Sequence, residues 1–388
     1  MRRRTAWAAV VAAAAALSAC APSADNTRPP IYDYGPGHEI RGIKGFEKSE
    51  QEKDVARLNK ASLPLTLLWS LALAEGRNGM LTAEDGGPRV RYPVNPGKVT
   101  ATVAVTAGAA EDDPPGAESM TYLLDSSTNN SIRFLDDRAG GLVDSLDLGA
   151  TTFLDMALSP DQTTLLLVGY AADGSTEALL VDARKRAVLA AVPFPAEVNP
   201  HKAVFAPDGG VAYIAVWDGP KGGQFNASET RLVALDMATR TLRPGSVSLP
   251  GNTQVDDLAA HPSGELLFAT TASFQLYFVD TRTMTVSQKL TGFGRLAVHP
   301  TGEKVYAGSG VRRIWVFDVA TAAMEKVFAF EGEGVGDGDV LLKLDSSGAV
   351  LAATTRDPGA ALVLLDSETG DRVDTLPSAD DQHWIELY

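Results

Sequence analysis

Between Val255 and Phe330 the chain carries the same phrase twice. Asp257-Leu258-Ala259-Ala260-His261-Pro262-Ser263-Gly264-Glu265-Leu266-Leu267-Phe268-Ala269 returns 38 positions later as Arg295-Leu296-Ala297-Val298-His299-Pro300-Thr301-Gly302-Glu303-Lys304-Val305-Tyr306-Ala307. Spacing inside the unit is kept too: Tyr277-Phe278-Val279-Asp280-Thr281 and Trp315-Val316-Phe317-Asp318-Val319 each place their Asp 18 residues after the Pro. A phrase that recurs at a fixed period is one supersecondary unit stacked on copies of itself.

The physical reading of one unit decides what is stacked. Leu-Ala-x-His-Pro is a short apolar run closed by a Pro, which cannot donate to a ladder; x-Gly-Glu then turns the chain into Leu266 to Thr271, rich in β-formers. Leu276 to Asp280 is a third apolar run, and Asp-Thr-Arg-Thr turns it into a fourth, Thr285 to Leu290. The unit is therefore a four-stranded antiparallel meander with two apolar faces and no partner of its own. A period near 40 built this way predicts an all-β fold, a seven-bladed β-propeller of four-stranded antiparallel blades.

The length suits that architecture. Seven blades of roughly 45 residues consume about 315, and the chain has 388, with 45% hydrophobic residues, 36 Gly and 22 Pro. A net charge of −15 argues against a nucleic-acid partner, because phosphate binding needs Lys and Arg clustered on one face.

The repeats can be counted by the Asp that ends each third run: Asp136, Asp182, Asp236, Asp280, Asp318 and Asp366. The first-run signature recurs as Ala157-Leu158-Ser159-Pro160-Asp161, as Val204-Phe205-Ala206-Pro207-Asp208-Gly209, in the two His-Pro copies, and in eroded form as Lys343-Leu344-Asp345-Ser346-Ser347-Gly348. Six units result. A seventh is expected from the two ends, with strands at Leu63 to Ala74, Gly79 to Ala83 and Arg89 to Val94 joined by the C-terminal strand His383 to Tyr388. Such a join removes open sheet edges. A helix over Leu63 to Ala74 is the alternative.

Residues 1–20 read as an export signal: Met1-Arg2-Arg3-Arg4 is a basic start, Trp7 to Leu17 is apolar but too short to span a bilayer, and Leu17-Ser18-Ala19-Cys20 follows at once. This stretch resembles the lipobox of bacterial lipoproteins. The resemblance implies acylation of Cys20, with palmitate among the chains, and attachment to the cell envelope through that anchor. Ala21 is not the Asp that would retain a lipoprotein at the inner membrane, so the outer membrane or cell surface is the expected location. Cys20 is the only Cys, so no intramolecular disulfide can form. Residues 21–61 read as a flexible tether with room for a short helix from Phe46, where Glu47, Glu50 and Glu52 come early and Arg57 and Lys60 late. Residues 62–388 are the expected propeller domain.

The Asp-x-x-Thr-x-x-Val pattern, with Pro200-His201 before a run ending in Pro207-Asp208-Gly209, resembles the YVTN-type propeller repeats of surface-layer and YncE-like proteins. The similarity to lactonase-like seven-bladed propellers is more distant. It covers Thr100 to Leu376 as repeat grammar and includes no catalytic motif. What it implies is the fold, together with a binding or scaffolding role.

In a propeller, residues at the start of each innermost strand face the central channel. Here these are Asp155, His201, Asp256, Asp257, Arg295, Asp337 and Asp339. One imidazole among carboxylates and a guanidinium could take an anionic ligand or a divalent cation such as Ca2+. The same polarity is expected of a wet channel lined by turn-capping Asp residues. His261 and His299 precede Pro at equivalent positions and are expected to make structural hydrogen bonds. Gly336-Asp337-Gly338-Asp339 lacks the carboxylate spacing of a calcium loop, and no nucleophile elbow or phosphate-binding Gly loop is present. The expectation is a lipid-anchored envelope protein that binds or scaffolds a protein partner, without a cofactor. The alternative is a lactonase-like or lyase-like hydrolase with a divalent ion beside His201.

Overall fold

Short apolar runs punctuated by turn residues favour strands over the repeat region from Thr100 to Leu376. The structure, a computed structural model, describes residues 66–71, 73–75, 81–83, 89–92, 99–104, 120–125, 130–136, 141–171, 173–195, 197–219, 229–250, 254–291, 294–309, 312–329, 340–344, 348–355, 361–376 and 383–387. Among them every regular element is a strand. The leader 1–20 with Cys20, the tether 21–61, and Asp337 and Asp339 lie outside the described residues.

Four short strands come first: β1 (Thr66–Leu71), β2 (Leu73–Glu75), β3 (Leu81–Ala83) and β4 (Arg89–Tyr92). Then β5 (Val99–Ala104), β6 (Met120–Asp125), β7 (Ser131–Asp136) and β8 (Gly141–Asp147) form one antiparallel sheet in chain order. The next is β9 (Thr152–Leu158), β10 (Thr164–Tyr170), β11 (Thr176–Asp182) and β12 (Ala187–Pro193). In the third, β13 (Val198–Phe205), β14 (Val211–Asp218) and β15 (Glu229–Asp236) are followed by β16 (Thr241–Leu242) and β17 (Val247–Leu249), which both pair with β15. Its fourth strand is split at Pro244, which has no N–H to offer the ladder.

The two repeated phrases form the next pair of sheets. One is β18 (Val255–Ala260), β19 (Leu266–Thr271), β20 (Gln275–Asp280) and β21 (Thr285–Thr291); the other is β22 (Leu296–Val298), β23 (Lys304–Ser309), β24 (Arg313–Asp318) and β25 (Ala323–Ala329). A last meander comprises β26 (Val340–Leu344), β27 (Val350–Thr355), β28 (Leu362–Asp366) and β29 (Arg372–Leu376), before the lone β30 (His383–Leu387). All six counting aspartates are the last residues of third strands.

The ends depart from the sequence expectation. Leu63 to Ala74 is neither one strand nor a helix where described: β1 pairs with β4, whereas β2 and β3 form a separate two-stranded sheet. β30 pairs with β1 in parallel, Leu67 opposite His383 through Leu71 opposite Leu387, so this sheet has three strands and mixed direction. Strands joined by a hairpin must run antiparallel, but strands separated by almost the whole chain have no such constraint.

Consecutive meanders from β5 to β29 cover one another's apolar faces. Val168, Leu180 and Val192 share a core with Ile214, Val216 and Val233; Tyr213 and Leu232 share another with Leu267 and Tyr277. Phe268 and Phe278 stack edge to face at 4.9 Å and pack against Val305 and Phe317. Second strands are accordingly buried almost without alternation, as in Val350–Thr355, since both their faces meet neighbours. First strands are adjacent in chain order: β5 lies beside β9, β9 beside β13, β13 beside β18, β18 beside β22 and β22 beside β26. β30 lies beside both β26 and β5.

The turns after β11, β15, β20, β24 and β28 are each held by the aspartate that ends the strand. Asp280 accepts hydrogen bonds from the backbone of Arg282 and Thr283, and Asp318 and Asp236 accept from the backbone and hydroxyl of Thr321 and Thr239. These bonds favour the charged form, so the carboxyls of Asp182, Asp280 and Asp318 lie below their ordinary range, and that of Asp236, also bonded to Arg243, falls to about 2. A carboxyl that ionises more readily when folded stabilises the fold above its unfolded pKa, about 4, and that contribution is lost as the pH falls through the folded value. The urea midpoint is expected to be level above about pH 5 and to fall between about pH 4 and 2. Asp236→Asn should lower the midpoint at pH 7 and shrink the acid fall; an unchanged acid profile would contradict the assignment.

Candidate functional site

The polar residues at the starts of the first strands meet the neighbouring sheets, and bulges interrupt two of these strands, β13 and β18. In β13 the ladder passes from Pro200 to Lys202 and skips His201; in β18 it passes from Val255 to Asp257 and skips Asp256. A bulge breaks the two-residue alternation of a strand. The consecutive residues His201 and Lys202 reach different sheets, Val255 of β18 and Asp155 of β9.

Lys202 reaches back to β9. Its ammonium lies 3.1 Å from Asp155 Oδ1, while Asp155 Oδ2 accepts the Ala203 N–H at 2.9 Å. Both side chains are largely buried. The same device recurs between β18 and β22: Asp257 Oδ2 accepts the Leu296 N–H at 2.9 Å, and Arg295 stands 3.7 Å from Asp257 Oδ1 and donates to the Asp256 carbonyl at 3.3 Å. Each pair is an acid on one first strand gripping a base and a backbone amide on the next.

His201 reaches forward. Its ring is 3% exposed, and Nε2 accepts the Val255 N–H of β18 at 3.2 Å. The proton therefore sits on Nδ1, which has no hydrogen-bond partner. Burial, aided by the Lys202 charge, lowers the imidazole pKa to about 3. The ring is neutral at ordinary pH, and its one lone pair is already engaged.

Asp155, His201, Asp257 and Arg295 are thus drawn together in pairs across neighbouring sheets. Among the described residues no group of three His, Cys, Asp or Glu side chains is placed to hold a metal ion. Sequence reading passed over Lys202. The signal was present: Asp155, Lys202, Asp257 and Arg295 each stand five residues before the turn Pro, in the order acid, base, acid, base.

The other end of the first strands is joined by a second device. His261 Nδ1 accepts from Ser263, fixing the proton on Nε2, which donates to the Gly302 carbonyl of the following turn at 2.9 Å. His299 repeats the local half, with Nδ1 accepting from Thr301. Its Nε2 lies so close to Gly348 that a Cβ there would stand 2.4 Å away. Both histidines are structural, as their place before Pro suggested. Glu368, in the turn after β28, is clasped by Lys304 and Lys326 of the preceding sheet, which hold its carboxyl at about 2.

Sheets that share cores through both faces and are pinned first strand to first strand define a β-propeller-like, all-β protein. A solved chain of Kuenenia stuttgartiensis hydrazine synthase is similar in structure, with a TM-score of 0.52, 15% identity, and coverage of 68% of this chain and 80% of that one. At that identity the likeness concerns the fold alone. Solved chains that match this one in structure number 1743. No family model matches the chain, and no curated protein matches it in sequence.

Proposed function

We propose that this chain is a bacterial envelope lipoprotein, anchored through acylated Cys20, whose residues 62–388 form a closed seven-bladed propeller that binds or scaffolds a protein partner. Closure is supported by the neighbour order of β5, β9, β13, β18, β22, β26 and β30, with β30 returning to β5. In this reading β30, β1 and β4 make the seventh blade.

The observation that carries the binding role is the use made of the ionisable residues. Asp155, Lys202, Asp257 and Arg295 bond across neighbouring sheets and His201 engages its one lone pair on Val255, which makes the core of the ring a rigid frame rather than a reaction centre. Recognition is then left to loops held on that frame. At the end where the first strands begin, Tyr170 at the close of β10 and Phe274 in the turn between β19 and β20 are 40% and 60% exposed. Exposed aromatics on a rigid scaffold suit a protein partner.

The test has two arms. A clickable palmitate analogue should label the wild-type chain and leave Cys20→Ser unlabelled, with Cys20→Ser moving out of the membrane fraction. A photocrosslinking side chain at position 274 of the wild-type chain should give a discrete adduct with an envelope protein. Unchanged labelling of Cys20→Ser would remove the anchor, and absence of any adduct would remove the scaffold role.

A further inference from the structure

The fourth strands β8, β12, β21, β25 and β29 share an irregularity: the ladder with the third strand skips one residue, which is Val143, Leu189, Ser287, Glu325 and Val373 in turn. Around four of these bulges the chain is polar or charged, with Asp144, with Ser287 and Gln288, with Glu325 and Lys326, and with Arg372 and Asp374. β12 alone has Val188, Leu189 and Ala190 there. Val188 and Leu189 are 51% and 41% exposed.

The turn that feeds this strand is basic. Arg184-Lys185-Arg186 is the only run of three cations between residues 62 and 388, and Arg184 and Lys185 are exposed. Asp182 spends its carboxylate on their backbone N–H groups and stands 3.3 Å from the Lys185 ammonium, while Arg186 meets Asp144 at 3.4 Å. From the next sheet Arg240, also exposed, donates to the Leu189 carbonyl at 3.5 Å. No acid among the described residues pairs with Arg184 or Arg240.

We infer that Arg184, Lys185 and Arg240, with Val188 and Leu189 between them, form a patch that rests on an anionic phospholipid surface. Charge complementarity names the occupant. A chain of net charge −15 is repelled as a whole by anionic headgroups, so attraction must come from a local cluster. Guanidinium groups take phosphate oxygens in pairs, and apolar side chains beside them enter the headgroup layer. A partner strand on β12 would have to displace Arg240 from the Leu189 carbonyl, whereas a lipid surface leaves that contact in place. The patch also lies at the far end of its sheet from Tyr170, since β10 and β11 pair Thr164 with Asp182 at one end and Tyr170 with Thr176 at the other. A chain resting on lipid through this turn holds Tyr170 away from the bilayer.

The inference does not depend on acylation, and its test removes the anchor. The full chain with Cys20→Ser should co-sediment with vesicles of phosphatidylcholine and phosphatidylglycerol in about equal parts at least about tenfold better than with phosphatidylcholine alone. High salt should release it. Adding Arg184→Gln and Arg240→Gln should cut binding about tenfold or more, at about fivefold for each cation, and Leu189→Gln should weaken it about fivefold through lost apolar contact. Met324→Gln, on the charged strand β25, should change nothing. Equal binding to the two kinds of vesicle, no binding to either, full binding by the Arg184→Gln, Arg240→Gln chain, or a photocrosslink from position 189 to a protein instead of lipid would each overturn the inference.

Discussion

Gly294→Ala is expected to unfold the β18–β22 region or the whole chain. Gly294 sits just before Arg295 with φ +80, a conformation that side chains resist, and a Cβ there would stand 1.7 Å from the carbonyl oxygen of Gly308. The obstacle is backbone, so no side chain can swing away. The Gly308 N–H also donates to the Arg295 carbonyl at 2.9 Å, and Thr270 donates to the Gly294 carbonyl at 2.6 Å, so the two strands cannot separate without breaking bonds. Left-handed strain and overpacking each cost about 1–3 kcal/mol, and together they set an expected loss of about 2–6 kcal/mol in urea unfolding. Gly245→Ala is the control: its φ is +95, but nothing lies within 4 Å of an added Cβ, so only the conformational part should appear. Equal losses for the two variants would show that the contact with Gly308 is not what forbids a side chain.

Asp155→Leu is the second large effect. It strands the Lys202 ammonium in a largely buried place and removes the acceptor of the Ala203 N–H, and breaking one partner of a buried pair costs about 3–5 kcal/mol. Asp155→Asn keeps an acceptor for the amide and should lose less. Adding Lys202→Met to Asp155→Leu should restore more than half of the loss, because an apolar pair carries no unpaired charge. Thermal unfolding of the four proteins closes this cycle. Additive losses would mean that Asp155 and Lys202 do not act as a pair across β9 and β13.

Much of the architecture was legible because it is local. The turn Pro, the Gly or Asp after it and the Asp at the end of each third strand act through backbone sterics and hydrogen bonds to residues two or three positions away, so six meanders were countable. The candidate site was legible in part. Its residues were found at the starts of first strands, but their partners were not, and Lys202 was missed, because the partners lie on neighbouring sheets 47 and 54 residues away in the chain, Asp155 for Lys202 and Val255 for His201.

What the sequence by itself determined is the repeat: strand ends, turn caps, two apolar faces per unit, and the structural place of His261 and His299. Only the tertiary structure decided that Asp155 grips Lys202 and Asp257 meets Arg295 across adjacent sheets, that His201 is buried with its lone pair spent, and that β30 runs parallel to β1. The reason is range. Periodicity and turn chemistry act within a few residues, whereas contacts between sheets depend on the depth and register at which whole sheets settle against each other, and no short stretch of chain carries that information.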